Sequence, residues 1–425
     1  VSVLKGIMMR LKQSDLLFEK ALKLIPWGTQ TNAKRPFPAF QETMPKYIVR
    51  GKGCRIWDID RKEYIDFRLA LGPVTLGYCY EEVDRAVKAQ LKNGVLFSMA
   101  SPLELELATL LNEVLPNAEM VRFMKTGEDA NLCNVRIARA YTKRDMILTS
   151  GYHGYPDWFA VEDSPGNGVP EILKEYVKVI PWGNLEAAEK LIRQYNERIA
   201  CVVSIPYDMN EDVSGTYIRH LRKLTREYGI LLVLDEVWTG FRLALGGGQE
   251  FFGVDADLAS YAKAMANGYP ISAFVGKREY MSQLNQFRMT TTYAGETLSI
   301  AAALATISIM KRDPVHKHIY SMGKRLMDGF NVIAKELGVE GYAAGLPPSP
   351  FLKFNTSDAA YNERLEYLWF RELFREGVFV ILRWFVSYSH KKTDIDLALE
   401  KARRALKRAL DAEPKERQSV KPFYW

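Results

Sequence analysis

Cysteine is sparse in this sequence. Cys54, Cys79, Cys133 and Cys201 are spread over 425 residues, and no two form a CxxC pair. That spacing excludes a disulfide scaffold and offers no zinc-ligand pattern or other metal site. Reduced, packed thiols are the expectation. Long apolar runs are missing too. None reaches the roughly 20 residues needed to span a bilayer. The N-terminal VSVLKGIMMRLKQSDLLFEKAL is broken by charge and reads as an amphipathic helix, not a cleavable signal. A soluble cytoplasmic protein without membrane association is the default. Nor is there an excess of one charge sign: 58 Lys and Arg face 51 Asp and Glu, a net +7. Over this length +7 gives no argument for nucleic acid, and no aromatic–basic motif adds one. Repeats and low-complexity tracts are absent.

What is present is an ordinary globular balance, 48% hydrophobic and 26% charged, which rules out disorder or a coiled coil as a description of the whole chain. KYIVRGKGCRIWDIDRKEYIDF alternates apolar and polar residues between Gly and Asp-Arg-Lys turns, so it reads as a small antiparallel meander. From Glu81 the texture changes. Helical spacing marks 81–93, 102–115, 129–141, 185–197 and 216–228. Short apolar runs at 119–125, 145–149, 199–205, 230–235, 257–261 and 271–276 read as strands. Strands alternating with amphipathic helices predict a mainly parallel sheet covered on both faces, with its ligand beyond the carboxyl ends of the strands. After about Lys311 a long helical stretch leads to the loop GYAAGLPPSP. A strand at FLKF, a helix around 364–376, strands near 378–382 and 385–387, and a last helix from Thr393 follow. Residues 78–310 are therefore expected to form a large domain. The segments 1–77 and 311–425 are expected to combine into a discontinuous α+β small domain.

The strongest chemical signal is LLVLDEVWTGFR, Leu231–Arg242, followed by YAKAMANGYP, Tyr261–Pro270. Asp235 ends an apolar strand, where a desolvated carboxylate needs a cationic partner. Taken alone, it is an ordinary helix cap or salt-bridge residue. Lys263 comes directly after the strand DLASY and before small residues and a Gly-Tyr-Pro turn. Taken alone, it is a solvated lysine. Together they suit a Schiff-base lysine and an acidic partner for a protonated pyridine nitrogen, the pairing that pyridoxal phosphate requires.

DEVWTGFR, then GGGQEFFGVDADL, then the lysine segment, resembles the class III (subgroup II) pyridoxal-phosphate aminotransferases, and within them the glutamate-1-semialdehyde aminomutase-like branch. The likeness runs from KYIVRGKGCRIWDIDRKEYIDF through LGPVTLGY to FVSYSHKKTDID. It implies an α/β fold of fold type I, with a mainly parallel large domain and a discontinuous small domain, and pyridoxal 5'-phosphate as cofactor. It also implies site residues. Thr126-Gly127-Glu128 takes the place of a turn under the cofactor phosphate, where the N–H groups of a helix start suit an anion. Glu128 replaces a hydroxyl residue, so its side chain is expected to point away while its N–H donates. Tyr152 is expected to stack on the pyridine ring with Val237 on the other face, and His153 to orient neighbouring groups. Asn210 falls near the cofactor's phenolic oxygen. In TTTYAGET, Thr292 first and Thr291 second are the candidates to reach the phosphate of a neighbouring subunit. That implies a homodimer with shared active sites.

The substrate residues depart from the aminomutase pattern. Leu382 and Arg383 stand where that branch carries a glutamate before Phe-x-Ser-x-x-His. Leu71 replaces a tryptophan before Gly72-Pro73, and Lys34 beside Arg35 replaces a carboxylate-binding arginine. The aliphatic replacements predict a less polar pocket. Arg383 can hold a carboxylate bidentately, or be a surface strand residue. Arg242 reads as structural. The reading is an aminotransferase that passes an amino group from a primary amine or amino acid to a keto acid with ping-pong kinetics. The aminomutase, or a racemase on the same scaffold, is the alternative. A non-catalytic dimer of the same fold is the other, though it would need neither Lys263 nor Asp235.

Overall fold

The computed structural model describes residues 12–162, 168–208 and 212–416. These divide into two compact units. The larger comprises Gly72–Thr75 and Glu81–Lys317. The smaller comprises Leu76–Tyr80 and the described parts of Val1–Leu71 and His318–Trp425.

In chain order the strands are β1 (Ile48–Lys52), β2 (Arg55–Asp58), β3 (Glu63–Asp66), β4 (Met120–Met124), β5 (Met146–Ser150), β6 (Val177–Val179), β7 (Ile199–Ser204), β8 (Leu231–Asp235), β9 (Leu258–Tyr261), β10 (Ser272–Gly276), β11 (Gly341–Ala344), β12 (Phe351–Phe354) and β13 (Val378–Phe379).

The larger unit is built on a seven-stranded sheet in the order β4-β10-β9-β8-β7-β5-β6. The strands from β9 to β6 run parallel, and β10 runs antiparallel to both β4 and β9. β5, β7, β8, β9 and β10 are buried at every position, as expected for a sheet covered on both faces. Helices at Gly127–Thr142, Leu185–Tyr195 and Thr216–Glu227 fall between strands. The last of these buries Tyr217, Ile218, Leu221, Leu224 and Thr225, one stripe at helical spacing. Pro102–Val114 starts with a capping box, Ser101 with Glu104, and a proline at its first position. Each expected strand and helix of this unit occurs within a few residues of its expected limits. The helix after β4 begins at Gly127, two residues earlier than its apolar periodicity suggests.

The smaller unit carries the predicted meander β1-β2-β3, extended by β13 in parallel to β3. Its core is aromatic: Phe67, Phe330, Trp369, Phe374 and Trp384 are buried, with Phe67 and Trp384 ring centres 4.9 Å apart. The long helical stretch expected after about Lys311 is the helix Val315–Glu336; a break separates it from a preceding helix, Thr297–Arg312, that the sequence reading did not include. The break falls at Asp313-Pro314, because proline disfavours helix in the residue before it. The expected strands at 378–382 and 385–387 do not form as such; only Val378–Phe379 pairs in a ladder. Leu382 has φ 62°, a left-handed conformation that ends extended backbone. Trp384 N–H then donates to Pro350 O, Phe385 N–H to Phe67 O and Val386 N–H to Pro348 O. The backbone groups are satisfied by separate segments, so a single strand is not needed.

Candidate active site

Adjacent parallel strands bring the two strongest candidates together. Asp235 is the last residue of β8 and pairs in register with Ser260 of β9. Glu236 N–H donates to Ser260 O at 2.8 Å. Lys263 lies three residues beyond Ser260, at the start of a 3-10 turn, Lys263–Ala266. Both residues therefore sit at the carboxyl end of the sheet. Lys263 has φ 41° and Asn267 φ 48°, positions that cost a non-glycine residue about 1–3 kcal/mol each and cluster at functional sites.

The Asp235 carboxylate is buried at 3% exposure. Oδ2 accepts from Asn131 Nδ2 at 2.7 Å and from His153 Nδ1 at 2.8 Å. Oδ1 accepts from Val237 N–H at 2.9 Å. His153 comes from the loop after β5, and its own carbonyl is fixed by Asn131 Nδ2 at 3.3 Å. The Nδ1 side of His153 faces Asp235, while its buried Nε2 has no hydrogen-bond partner among the described residues. Sequence reasoning missed Asn131. Its signal was weak, one asparagine in the first turns of the helix that follows Thr126-Gly127-Glu128.

Thr126 is the N-cap of Gly127–Thr142 and forms a capping box with Asp129. The box uses the N–H groups of Thr126 and Asp129, and leaves those of Gly127 and Glu128 at the open end of the helix. Glycine is required at 127: a Cβ there would lie 2.6 Å from Val237 Cγ2. That close approach sets Val237 against the Thr126–Glu128 turn. Glu128 Cβ abuts Gly154, where an added Cβ would come within 2.5 Å of it. Tyr152, two residues after β5, is 80% exposed, beside buried His153.

Beside Asp235, Glu236 is fully buried. It accepts from Thr239 Oγ1 and from the N–H groups of Gly248 and Gln249. Burial pushes its carboxyl up to about 7, against those three hydrogen bonds. Arg242 is structural, as read from sequence: buried, it donates to Gly72 O and Thr75 Oγ1.

Thr291 is half-buried and Thr292 exposed, in the loop before the helix Thr297–Arg312. Asn210 lies outside the described residues. Lys34, Arg35, Leu71, Leu382 and Arg383 belong to the smaller unit. Lys34 and Arg35 are exposed, with the Arg35 guanidinium 5.4 Å from the Trp27 ring centre. Leu71 ends a turn in which Leu69, Ala70 and Leu71 all have positive φ. Arg68 beside them donates to Ile381 O at 3.0 Å, so this turn and the Leu382 segment meet within the unit. Arg383 is not a surface strand residue. It is buried, with its guanidinium 4.8 Å from the Phe351 ring centre, because the Leu382 turn directs it inward against aromatic faces.

These residues fit a phosphorylated pyridine cofactor. Two helix-start N–H groups suit a phosphate. A buried carboxylate with one lone pair of Oδ1 still open suits a pyridinium N–H. A lysine at the next strand end suits an aldehyde.

Comparison with known proteins agrees with that fit. The sequence profile described as Aminotransferase class-III matches residues 38–340. Glutamate-1-semialdehyde 2,1-aminomutase of Sulfurihydrogenibium azorense is 34% identical, over 94% of this chain and 100% of that protein. The 3-aminobutyryl-CoA aminotransferase of Cloacimonas acidaminovorans is 33% identical, over 94% of this chain and 97% of that protein. Among solved structures, the pyridoxal-phosphate internal aldimine form of the Sphingopyxis FumI protein superposes with a TM-score of 0.89. It is 27% identical and covers 97% of this chain and 99% of its own.

Proposed function

Because this chain belongs to the class-III aminotransferases, enzymes of fold type I whose cofactor is pyridoxal 5'-phosphate, we propose that it moves an amino group from a primary amine or amino acid to a keto acid. The observation that carries this reading is the placement of Asp235 and Lys263 at the same end of adjacent parallel strands. When bound, the cofactor supplies a protonated ring that withdraws electrons from the substrate carbon bearing nitrogen. Asp235 Oδ1 would hold a proton on the ring nitrogen, with Asn131 and His153 keeping that carboxylate oriented. Lys263 Nζ would hold the cofactor aldehyde and, when free, would serve as general base and then general acid toward the substrate carbon. The N–H groups of Gly127 and Glu128 receive the phosphate. Tyr152 and Val237 offer the two faces that flank the ring.

The working unit is a homodimer in this reading, with Thr292, and Thr291 behind it, reaching the partner's phosphate. Exposed apolar side chains at Val95, Leu96, Phe97, Met99, Leu105 and Tyr293 support it. Two contacts tie their segments to that loop: Thr297 N–H bonds Val95 O, and Gly295 lies against Glu104. Such a patch marks an interaction surface. Four free thiols, three of them buried, suit a cytoplasmic setting.

Leu71 and Leu382 favour an amino donor with an apolar side, at about 0.8 kcal/mol per buried CH₂. Lys34, Arg35 and Arg383 are the candidate cations for the keto-acid carboxylate. Isomerisation of glutamate-1-semialdehyde is the second reading, because relatives of that name match 94% and 92% of this chain. The test compares kcat/KM for the semialdehyde with that for an apolar amine plus pyruvate or 2-oxoglutarate. Preference for the amine and keto acid is expected; strong preference for the semialdehyde overturns the substrate assignment. Sedimentation with Thr292→Ala tests the dimer: a dimer with weakened cofactor retention is expected, and a fully active monomer would sink it.

A further inference from the structure

Lys125 immediately precedes Thr126, and its side chain does not project into open solvent. Nζ bonds Glu296 Oε2 at 2.9 Å and Pro270 O at 3.1 Å. The two charged side chains are only 20% and 13% exposed. Pro270 belongs to the turn that follows Lys263, and Glu296 to the loop proposed to reach the partner's phosphate. Pro270 closes the turn that begins at Lys263, after Asn267 and Gly268 have both taken positive φ. Glu296 closes the loop that carries Thr291 and Thr292; its N–H bonds Tyr293 O, and Ala294 N–H bonds Thr291 O. A parallel tie runs from Ser272 Oγ to Thr126 O at 2.6 Å. One ammonium group therefore gathers three loops from three parts of the chain.

We propose that Lys125, paired with Glu296, is a positioning residue for the phosphate end of the cofactor site. It locks the Thr126–Glu128 turn, the turn after Lys263 and the Thr291–Gly295 loop into one arrangement. The inference rests on the cofactor reading given above and adds a residue to it.

Two features make the pair more than a surface contact. The first turn of the helix Gly127–Thr142 carries two carboxylates, Glu128 and Asp129, where an anionic ligand must approach, and Lys125 places a cation next to them. In addition, Glu296 does not need Lys125 for its own satisfaction. It caps the helix Thr297–Arg312 by accepting from Leu298 N–H, Ser299 N–H and Ser299 Oγ. Burial would raise its carboxyl, but Ser299 and Lys125 hold it below the usual range. Removing Lys125 therefore cuts the tie between the loops and leaves the helix cap in place. Positioning can be separated from folding.

The experiment uses full-length apo protein reloaded with cofactor. Wild type, Lys125→Met and Lys125→Arg are compared for the dissociation constants of pyridoxal 5'-phosphate and of inorganic phosphate, and for apo-protein melting temperature. Lys125→Met should raise both dissociation constants by roughly tenfold, as loss of a charge-assisted bond does, with apo melting nearly unchanged. Lys125→Arg, which can still span Glu296 and Pro270 O, should recover most of that affinity. Wild-type affinity in Lys125→Met would overturn the inference. So would a loss of affinity matched by a comparable fall in apo melting, which marks a structural role. Failure of the wild type itself to bind pyridoxal 5'-phosphate would instead overturn the cofactor reading.

Discussion

The two units set their chemistry-bearing residues on different kinds of backbone. In the larger unit Asp235 ends a fully buried strand, and Thr126 caps a 16-residue helix. A regular ladder fixes Asp235, and a capping box with Asp129 together with a bond from Ser272 Oγ fixes Thr126. In the smaller unit the candidates stand on irregular chain. Leu71 follows Leu69 and Ala70, all with positive φ, and Leu382 has φ 62°. The contrast separates two tasks. In the proposed reading, the cofactor is handled by the rigid frame, and the candidate substrate residues stand on turns that can vary without disturbing it. Lys263, with φ 41°, is the exception, a strained residue on the regular side.

The largest effect should come from the frame. Lys263→Ala should lower transamination by about 10⁴-fold or more, since it removes both the covalent anchor and the acid–base group. Steady-state rates with a saturating amine check this, and borohydride should no longer fix the cofactor to the chain. Asp235→Asn comes next. Losing the charge partner of a buried ion typically costs about 3–5 kcal/mol, a rate loss of several hundredfold or more. Near-wild-type turnover in a folded Asp235→Asn protein would erase the distinction between frame and turns.

A third prediction concerns pH in the smaller unit. His390 is fully buried. Its Nδ1 accepts from Ser387 N–H, and burial drives its pKa down to about 3. The unfolded chain would take up this proton near pH 6.5, so the stability that His390 contributes is present above that pH. It is lost toward pH 3, at about 1.4 kcal/mol per pH unit. Asp66 in the same unit runs the other way, with burial raising it to about 6. The informative quantity is therefore the difference between wild type and His390→Asn. That difference should shrink on acidification, as read by hydrogen exchange of peptides containing residue 390.

The smallest effects compare two alanines. Ala138 is buried in the regular helix Gly127–Thr142, and Ala138→Gly should cost about 1 kcal/mol or more. Ala70 is exposed with φ 55°. Relief of the left-handed strain should offset the entropy of glycine there, leaving Ala70→Gly within about 0.5 kcal/mol of wild type. Equal losses in chemical denaturation would mean that the turn is no more strained than the helix.

The same division governs what could be read in the sequence. The frame was legible because local signals and tertiary role coincide there. Leu231–Asp235 is apolar throughout and ends on a carboxylate, and Thr216–Glu227 shows its buried stripe directly. The helix Thr297–Arg312 and the strand Gly341–Ala344 were not read, and three further features were not legible. β6 is three residues long, too short for a period to register. The contact of Asn131 with Asp235 joins residues 104 apart, and no local pattern encodes it. The run from Val378 to Ser387 is rich in strand-forming residues, yet after Phe379 its backbone bonds to Phe67, Pro348 and Pro350. Tertiary partners overrode propensity there. Arg383 was misplaced for the same reason, since its burial follows from the Leu382 turn.

The rung that joins Asp235 to Ser260 has a consequence for how this enzyme fails on heating. Its acidic residue is held by the central pair of a seven-stranded sheet, with neighbouring backbones about 4.8 Å apart. Amides in such a ladder open only with the whole unit. The placement of Asp235 and the larger unit's most protected amides should therefore be lost at one temperature, in a single step.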